Sequence, residues 1–86
     1  MNFSVRLSKR ATHELRRLLK GVRARVLKKI AELKDFPDVH LDIVPIAGES
    51  NTYRLRIGDY RVLFVAFWED RMIVVVRVAN RRSVYR

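Results

Sequence analysis

The chain has 86 residues, enough for a single domain over 1–86 and too few for a second one. With 49% hydrophobic residues it is too apolar for a disordered tail, and with no cysteine it has neither disulfides nor thiolate metal sites. Its longest apolar run, Val62 to Trp68, is too short to span a membrane, and the cytoplasm is the expected location. The net charge of +10 favours a polyanionic partner, such as nucleic acid, an anionic membrane surface or an acidic protein.

The N-terminal third predicts a strand followed by a helix. Residues 2–7 alternate between polar and apolar side chains, which is typical of a half-buried strand. Ser8 is suited to cap the helix that follows, and Gly21 to end it, because glycine takes the left-handed cap conformation without strain. One apolar stripe runs along this helix: Ala11, Leu15, Leu18, Leu19 and Val22.

A second helix is predicted to begin at once and to end before Pro37. Its own apolar stripe consists of Val22, Val26, Ile30 and Leu33. Because the connection is so short, we expect the two helices to form an antiparallel hairpin. Basic side chains on their outer faces are candidate contacts to a polyanionic partner: Arg16, Arg17, Lys20, Arg25, Lys28 and Lys29.

The second half of the chain predicts an antiparallel β meander. Residues 37–52 hold both prolines and fit either a short strand or a loop. Strands are predicted at 53–57, 60–68 and 72–78, with Gly58-Asp59 as a two-residue turn between the first two. The last strand is almost entirely apolar, so we expect it inside the sheet. The chain therefore predicts an α+β fold, with the helical hairpin on one face of a small, mostly antiparallel sheet.

The eight basic residues after Pro37 are all arginines, the residue type best suited to phosphate. Strand alternation places Arg54 and Arg56 on one face, and a two-residue turn pairs Arg56 with Arg61. Such a like-charge pair gains stability if an anion lies between the two side chains. A three-residue loop before the last strand would add Arg77 to this face, whereas a two-residue loop would bury Arg77, so the former is favoured.

The sequence also resembles a known family, the RelE/ParE toxins of type II toxin–antitoxin systems. The resemblance covers the whole chain. Its most specific part is the stretch 53–62 (Tyr-Arg-Leu-Arg-Ile-Gly-Asp-Tyr-Arg-Val), supported by the ending 80–85 (Asn-Arg-Arg-Ser-Val-Tyr).

For the RelE branch, the resemblance implies a microbial-RNase-like fold and an mRNA endonuclease that cuts in the ribosomal A site without a metal or other cofactor. The ribose 2′-OH attacks the phosphate and leaves a cyclic phosphate. The positions that match the family's motif imply a catalytic set of five residues: Arg54, Arg56, Arg61, Arg81 and Tyr85. Arg77 and Arg82 are expected to be further RNA contacts.

Some members of the family carry lysine at the positions of Arg54 and Arg56. Arginine stabilises the extra charge of a pentavalent phosphate but is practically unable to take up a proton. Tyr85 is then the remaining titratable group, since nearby arginines lower the pKa of a phenol. We therefore expect Tyr85 to be the base or a proton relay.

The family further implies a RelB-like antitoxin that wraps the toxin in an oligomeric complex, besides ribosome and mRNA as partners. Two alternatives remain open at this point. One is a ParE-like inhibitor of DNA gyrase that cuts nothing. The other is a nucleic-acid-binding homologue without catalytic activity.

Overall fold

The computed structural model describes residues 2–80, which form a five-stranded sheet with two helices on one face. The strands lie in the order β1-β5-β4-β3-β2, with β1 parallel to β5 and all other neighbours antiparallel. This confirms the predicted α+β class. The elements are β1 (Ser4–Leu7), α1 (Lys9–Arg16), α2 (Lys20–Ala31) with a 3-10 turn (Glu32–Asp35), β2 (Asp42–Pro45), β3 (Thr52–Ile57), β4 (Tyr60–Phe67) and β5 (Met72–Asn80).

The core lies between the helices and one face of the sheet. The predicted helix stripes supply the fully buried Ala11 and Val26, and β3 to β5 supply Leu55, Phe64 and Val75. Each large side chain buried in this way contributes about 1.5–3 kcal/mol relative to exposure. Because alternate strand residues point to this core, the remaining ones share the opposite face.

The predicted end of the first helix is wrong. α1 ends at Arg16, and the Leu18 N–H bonds the Leu15 carbonyl in a tightened last turn that brings Leu18 against the core. Leu19 is extended and precedes α2, and this residue is 80% exposed instead of buried. Gly21 lies inside the first turn of α2, where it needs no left-handed conformation. As predicted, Ser8 caps α1, accepting a hydrogen bond from the Ala11 N–H at 3.0 Å.

Two open points in the β region are settled by the pairing. The segment 37–52 contains a short strand, β2, at the edge of the sheet beside β3. Arg77 lies opposite Leu63 as favoured, but for a different reason: Phe67 pairs with Met72, and a β-bulge between Leu63 and Phe64 then shifts the register by one residue. The predicted three-residue loop is therefore wrong: four residues, 68–71, connect β4 to β5, and the bulge brings Arg77 opposite Leu63.

Register and alternation define the sheet face turned away from the helices, which we call the arginine face. It carries Arg54 and Arg56 from β3, and Arg61 and Phe67 from β4. Phe67 is 44% exposed, so this face offers apolar as well as cationic surface. Within residues 2–80, the structure has no helix long and apolar enough to cross a membrane.

Candidate functional site

Three charged residues form a row across neighbouring strands of the arginine face. Asp42 on β2 pairs with Arg56 on β3, and Arg56 pairs with Arg61 on β4. The two-residue turn Gly58-Asp59 sets this alignment, and Gly58 has the positive φ of 58° that the reversal requires. The predicted Arg56–Arg61 pair is therefore confirmed, but an acidic residue, which was not expected on this face, stands beside it.

Arg56 is bound to the acidic member of the row. Its Nε donates a hydrogen bond to Asp42 Oδ2, and the two groups form a cross-strand ion pair. The Arg56 side chain is 59% exposed, and within the described part of the chain this is its single ion pair. A guanidinium has five N–H donors, so both Nη groups remain able to bind a phosphate.

Arg61 is held inside the fold, with 6% of its surface exposed. Its Nη1 donates to the carbonyl oxygens of Gly58 and Tyr60, each at 3.1 Å. These bonds satisfy a buried cation with the carbonyls of its own turn and thereby stiffen the β3–β4 hairpin. Arg61 thus positions the hairpin, and any contact with a phosphate must come from its remaining donors.

Arg54 stands two residues before Arg56 on the same face, flanked in register by Val44 and Leu63. Its side chain is half-buried. Together with Arg56 and Arg61 it concentrates positive charge on two neighbouring strands of the sheet. Such a cluster attracts polyanions and stabilises charge that develops on a phosphate.

Arg77 is directed away from this cluster by an acid on α1. Its Nε donates to both carboxylate oxygens of Glu14, at 3.4 and 3.1 Å, and its side chain is only 19% exposed. The same carboxylate accepts the Val78 N–H at 2.7 Å. A role of Arg77 in binding RNA remains a prediction, and such a role would have to compete with Glu14.

The basic residues of the helices are largely solvent-facing, as predicted. Arg16, Arg17, Lys20, Arg25 and Lys28 are exposed, while Lys29 is half-buried and lies 3.7 Å from Glu32. The Arg25 guanidinium also lies over Gly58, where a β-carbon would stand 3.2 Å from its Nη2. The helix face and the β3–β4 turn are therefore adjacent, which the sequence did not reveal.

The predicted tail residues Arg81, Arg82 and Tyr85 lie outside the described residues. Asp42 and Glu14 are the partners that sequence reasoning missed. For Asp42, the alternation of Leu41, Asp42 and Ile43 was the available signal, but the pairing with Arg56 depends on a strand register that loop length alone does not fix.

Comparison with known proteins identifies the class. Residues 5–85 match the family described as the ParE toxin of the type II toxin–antitoxin system parDE. The chain is 32% identical to the protein RelE1 of Methanocaldococcus jannaschii, over 100% of this chain and 98% of that one. The chain therefore belongs to the RelE/ParE superfamily of type II toxins.

Two crystal structures share the fold closely. One is an archaeal RelE–RelB complex from Pyrococcus horikoshii, with a TM-score of 0.79, 28% identity, and coverage of 94% of this chain and 97% of that chain. The other is the toxin–antitoxin complex RelBE2 from Mycobacterium tuberculosis, with a TM-score of 0.81, 26% identity, and coverage of 94% and 100%. Within the superfamily, these relatives place the chain among RelE-family toxins.

Proposed function

We propose that the protein is a ribosome-dependent mRNA endonuclease that inhibits translation in the cytoplasm. The observation that carries this proposal is the row of Arg56 and Arg61 on the arginine face, with Arg54 beside it. Attack of the ribose 2′-OH on the adjacent phosphate builds up negative charge on the phosphate oxygens. A cluster of fixed guanidinium groups stabilises that charge, and it does so with the protein's own side chains and no metal.

Each arginine has a distinct part in this proposal. Arg56, exposed and with free Nη donors, binds the scissile phosphate. Arg61 holds the hairpin that presents Arg56, and Arg54 adds charge on the same face. Arg81 and Tyr85, from the tail, are proposed to complete the site. The exposed helix cations, with Arg82, bind ribosomal RNA through its phosphates.

The test is primer extension on a defined mRNA in a cell-free translation extract. We expect cuts within codons that require the ribosome and that fall by about 10²–10³-fold in Arg56→Ala, the usual loss when one stabilising donor is removed. Lys34→Ala is the matched control, because it removes one exposed positive charge from the 3-10 turn. Arg81→Ala should behave as Arg56→Ala does, and a thermal melt of each variant excludes loss of the fold.

A second function is favoured by the name of the matching family, since that name is ParE. In this alternative the toxin inhibits DNA gyrase and leaves mRNA intact. Intact mRNA together with loss of supercoiling by purified gyrase would support it and would contradict the endonuclease. Primer extension and a supercoiling assay on the same preparation decide between the two functions.

An antitoxin is part of the proposal, because the similar structures from P. horikoshii and M. tuberculosis are toxin–antitoxin complexes. The charge of +10 suits an acidic segment that folds as it wraps the toxin, in an assembly containing several chains. Co-expression of the acidic partner should restore growth that the toxin alone arrests.

A further inference from the structure

Asp42, on the edge strand β2, brings a carboxylate into contact with Arg56 of the candidate site. It ends the row that continues through Arg56 and Arg61, and its side chain is 46% exposed. One of its oxygens, Oδ2, accepts the hydrogen bond from Arg56. Because an ionised carboxylate has about four acceptor sites, this single contact leaves room for another donor.

The arginines themselves are unable to act as a base, so cleavage by the 2′-OH needs a proton acceptor from elsewhere. Within the described residues, Asp42 is the acidic side chain that contacts Arg56. We propose that Asp42 is the general base of the reaction: it takes the proton of the ribose 2′-OH while Arg56 holds the neighbouring phosphate. This inference rests on the endonuclease function proposed above.

The geometry of a nucleotide makes the arrangement suitable. The 2′ oxygen and the 3′ phosphorus belong to the same ribose and lie next to each other. Arg56 uses its Nε for Asp42, which leaves its Nη groups for the phosphate. A phosphate on those groups therefore brings the 2′-OH of the same nucleotide beside the carboxylate. The ion pair keeps both groups oriented before the RNA arrives.

The step balances without any further reactant. The 2′-OH gives its proton to an Asp42 carboxylate oxygen, and the 2′ oxygen forms a bond to phosphorus. The bond between phosphorus and the 5′ oxygen breaks, leaving a 2′,3′-cyclic phosphate. The departing 5′ oxygen takes up a proton from water, and Asp42 returns its own proton to water. Positioned general bases of this kind contribute about 10²–10⁴-fold to rate.

Asp42 and Tyr85, each taken as the base, predict different responses of the cleavage rate to pH. Carboxylates titrate well below neutral pH and phenols near pH 10. With a carboxylate base, the cleavage rate stays level between about pH 6 and 8.5, whereas a phenol base makes it rise with pH by up to tenfold per unit. If Asp42 only positioned Arg56, substituting Asp42 would change the cleavage rate but not its dependence on pH.

The experiment measures single-turnover cleavage of mRNA on programmed ribosomes, at saturating toxin, from pH 6 to 8.5. Asp42→Asn retains an acceptor for Arg56 but loses the base. Asp42→Glu restores a carboxylate one methylene further out. Glu49→Gln is the charge-matched control, since it removes one exposed carboxylate from the loop between β2 and β3. Toxin binding to the ribosome is measured separately for every variant.

We expect the Asp42→Asn rate to fall about 10²–10⁴-fold with binding retained and a new rise with pH, while Asp42→Glu recovers part of the activity. Glu49→Gln should match the wild type. Cleavage by Asp42→Asn at the wild-type rate, or a wild-type rate that rises with pH and becomes level in Tyr85→Phe, would overturn the inference and leave the endonuclease intact. Absence of cleavage by the wild type would overturn both.

Discussion

Arg56 and Arg61 face each other across β3 and β4, which costs stability unless each charge has its own partner. Arg56 has Asp42, and Arg61 has the carbonyls of Gly58 and Tyr60. The Asp42 carboxylate offsets the charge of Arg56, and the two carbonyl oxygens satisfy N–H donors of Arg61, while the anion expected between the two arginines remains a prediction. In the proposed function, the exposed Arg56 binds the phosphate, and the buried Arg61 holds the turn.

Gly58 is the residue on which this turn depends. Its φ is 58°, and a side chain there would meet the Arg25 guanidinium. We expect Gly58→Ala to lower the free energy of unfolding by about 1–2 kcal/mol, the cost of a left-handed alanine. Thermal and urea unfolding measure this change.

Gly21→Ala is the matched control for that substitution. Gly21 lies in α2 with open space around its Cα, so alanine there should raise the free energy of unfolding by roughly 0.5–1 kcal/mol. Equal effects at both positions would contradict the assigned role of Gly58.

At the scale of elements, Glu14 joins α1 to β5. β1 pairs with β5 only as far as Val75, so the backbone of β5 beyond that point needs other partners on this edge. The Glu14 carboxylate accepts the Val78 N–H and the Arg77 guanidinium, both of which are largely shielded from water. The helix is thereby fixed to the sheet by a side chain as well as by its apolar stripe.

We expect Glu14→Ala to destabilise the fold by about 1–3 kcal/mol, because it leaves a shielded N–H and a shielded cation unpaired. Glu32→Ala is the control: its ion pair with Lys29 is half exposed and contributes about 0.5 kcal/mol or less. Urea unfolding of the two variants gives the comparison, and a Glu14→Ala midpoint equal to that of Glu32→Ala would show that Glu14 does not anchor α1.

The elements themselves were predictable from local patterns, since periodicity located both helices and three strands of the meander. Contacts between segments that are distant in sequence could not be predicted in this way. The β-bulge, the Asp42–Arg56 pair and the Glu14–Arg77 pair each join segments far apart in sequence, and registers of this kind are set by packing of the whole sheet. For the same reason, three arginines of the site were found on the correct face, whereas their acidic neighbour was missed. The prediction that Leu19 belongs to the buried stripe of the first helix was wrong for another reason. Leu19 has the correct spacing for that stripe but lies in the connection between the helices.

For the whole molecule, the charge is divided unevenly along the chain. Residues 1–36 carry eleven basic and three acidic side chains, a charge of +8, while 37–86 carry eight and six, a charge of +2. In the proposed function, the exposed face of the helices provides most of the non-specific attraction to polyanions, and the arginine face provides the local contact with one phosphate.

This division predicts the salt dependence of binding. Lys28→Ala should weaken binding to ribosomes and reduce the slope of log affinity against log salt by roughly one, since one phosphate contact is lost. Arg71→Ala is the control, because this exposed arginine lies in the β4–β5 turn. That turn is at the far end of β4 from Gly58. Titrations of ribosome binding at salt concentrations from about 50 to 200 mM measure this slope. Equal slopes for Lys28→Ala and the wild type would remove the helix face from the interface.

In the proposed endonuclease, the arginine face directs the ribose 2′-OH against its own phosphate. The most direct measurement compares two mRNAs on programmed ribosomes, which differ by a single 2′-deoxy substitution at the scissile nucleotide. We expect cleavage of the all-ribose mRNA to a 2′,3′-cyclic phosphate and no cleavage of the deoxy mRNA at that position. Cleavage of both mRNAs at equal rates, or of neither, would contradict it.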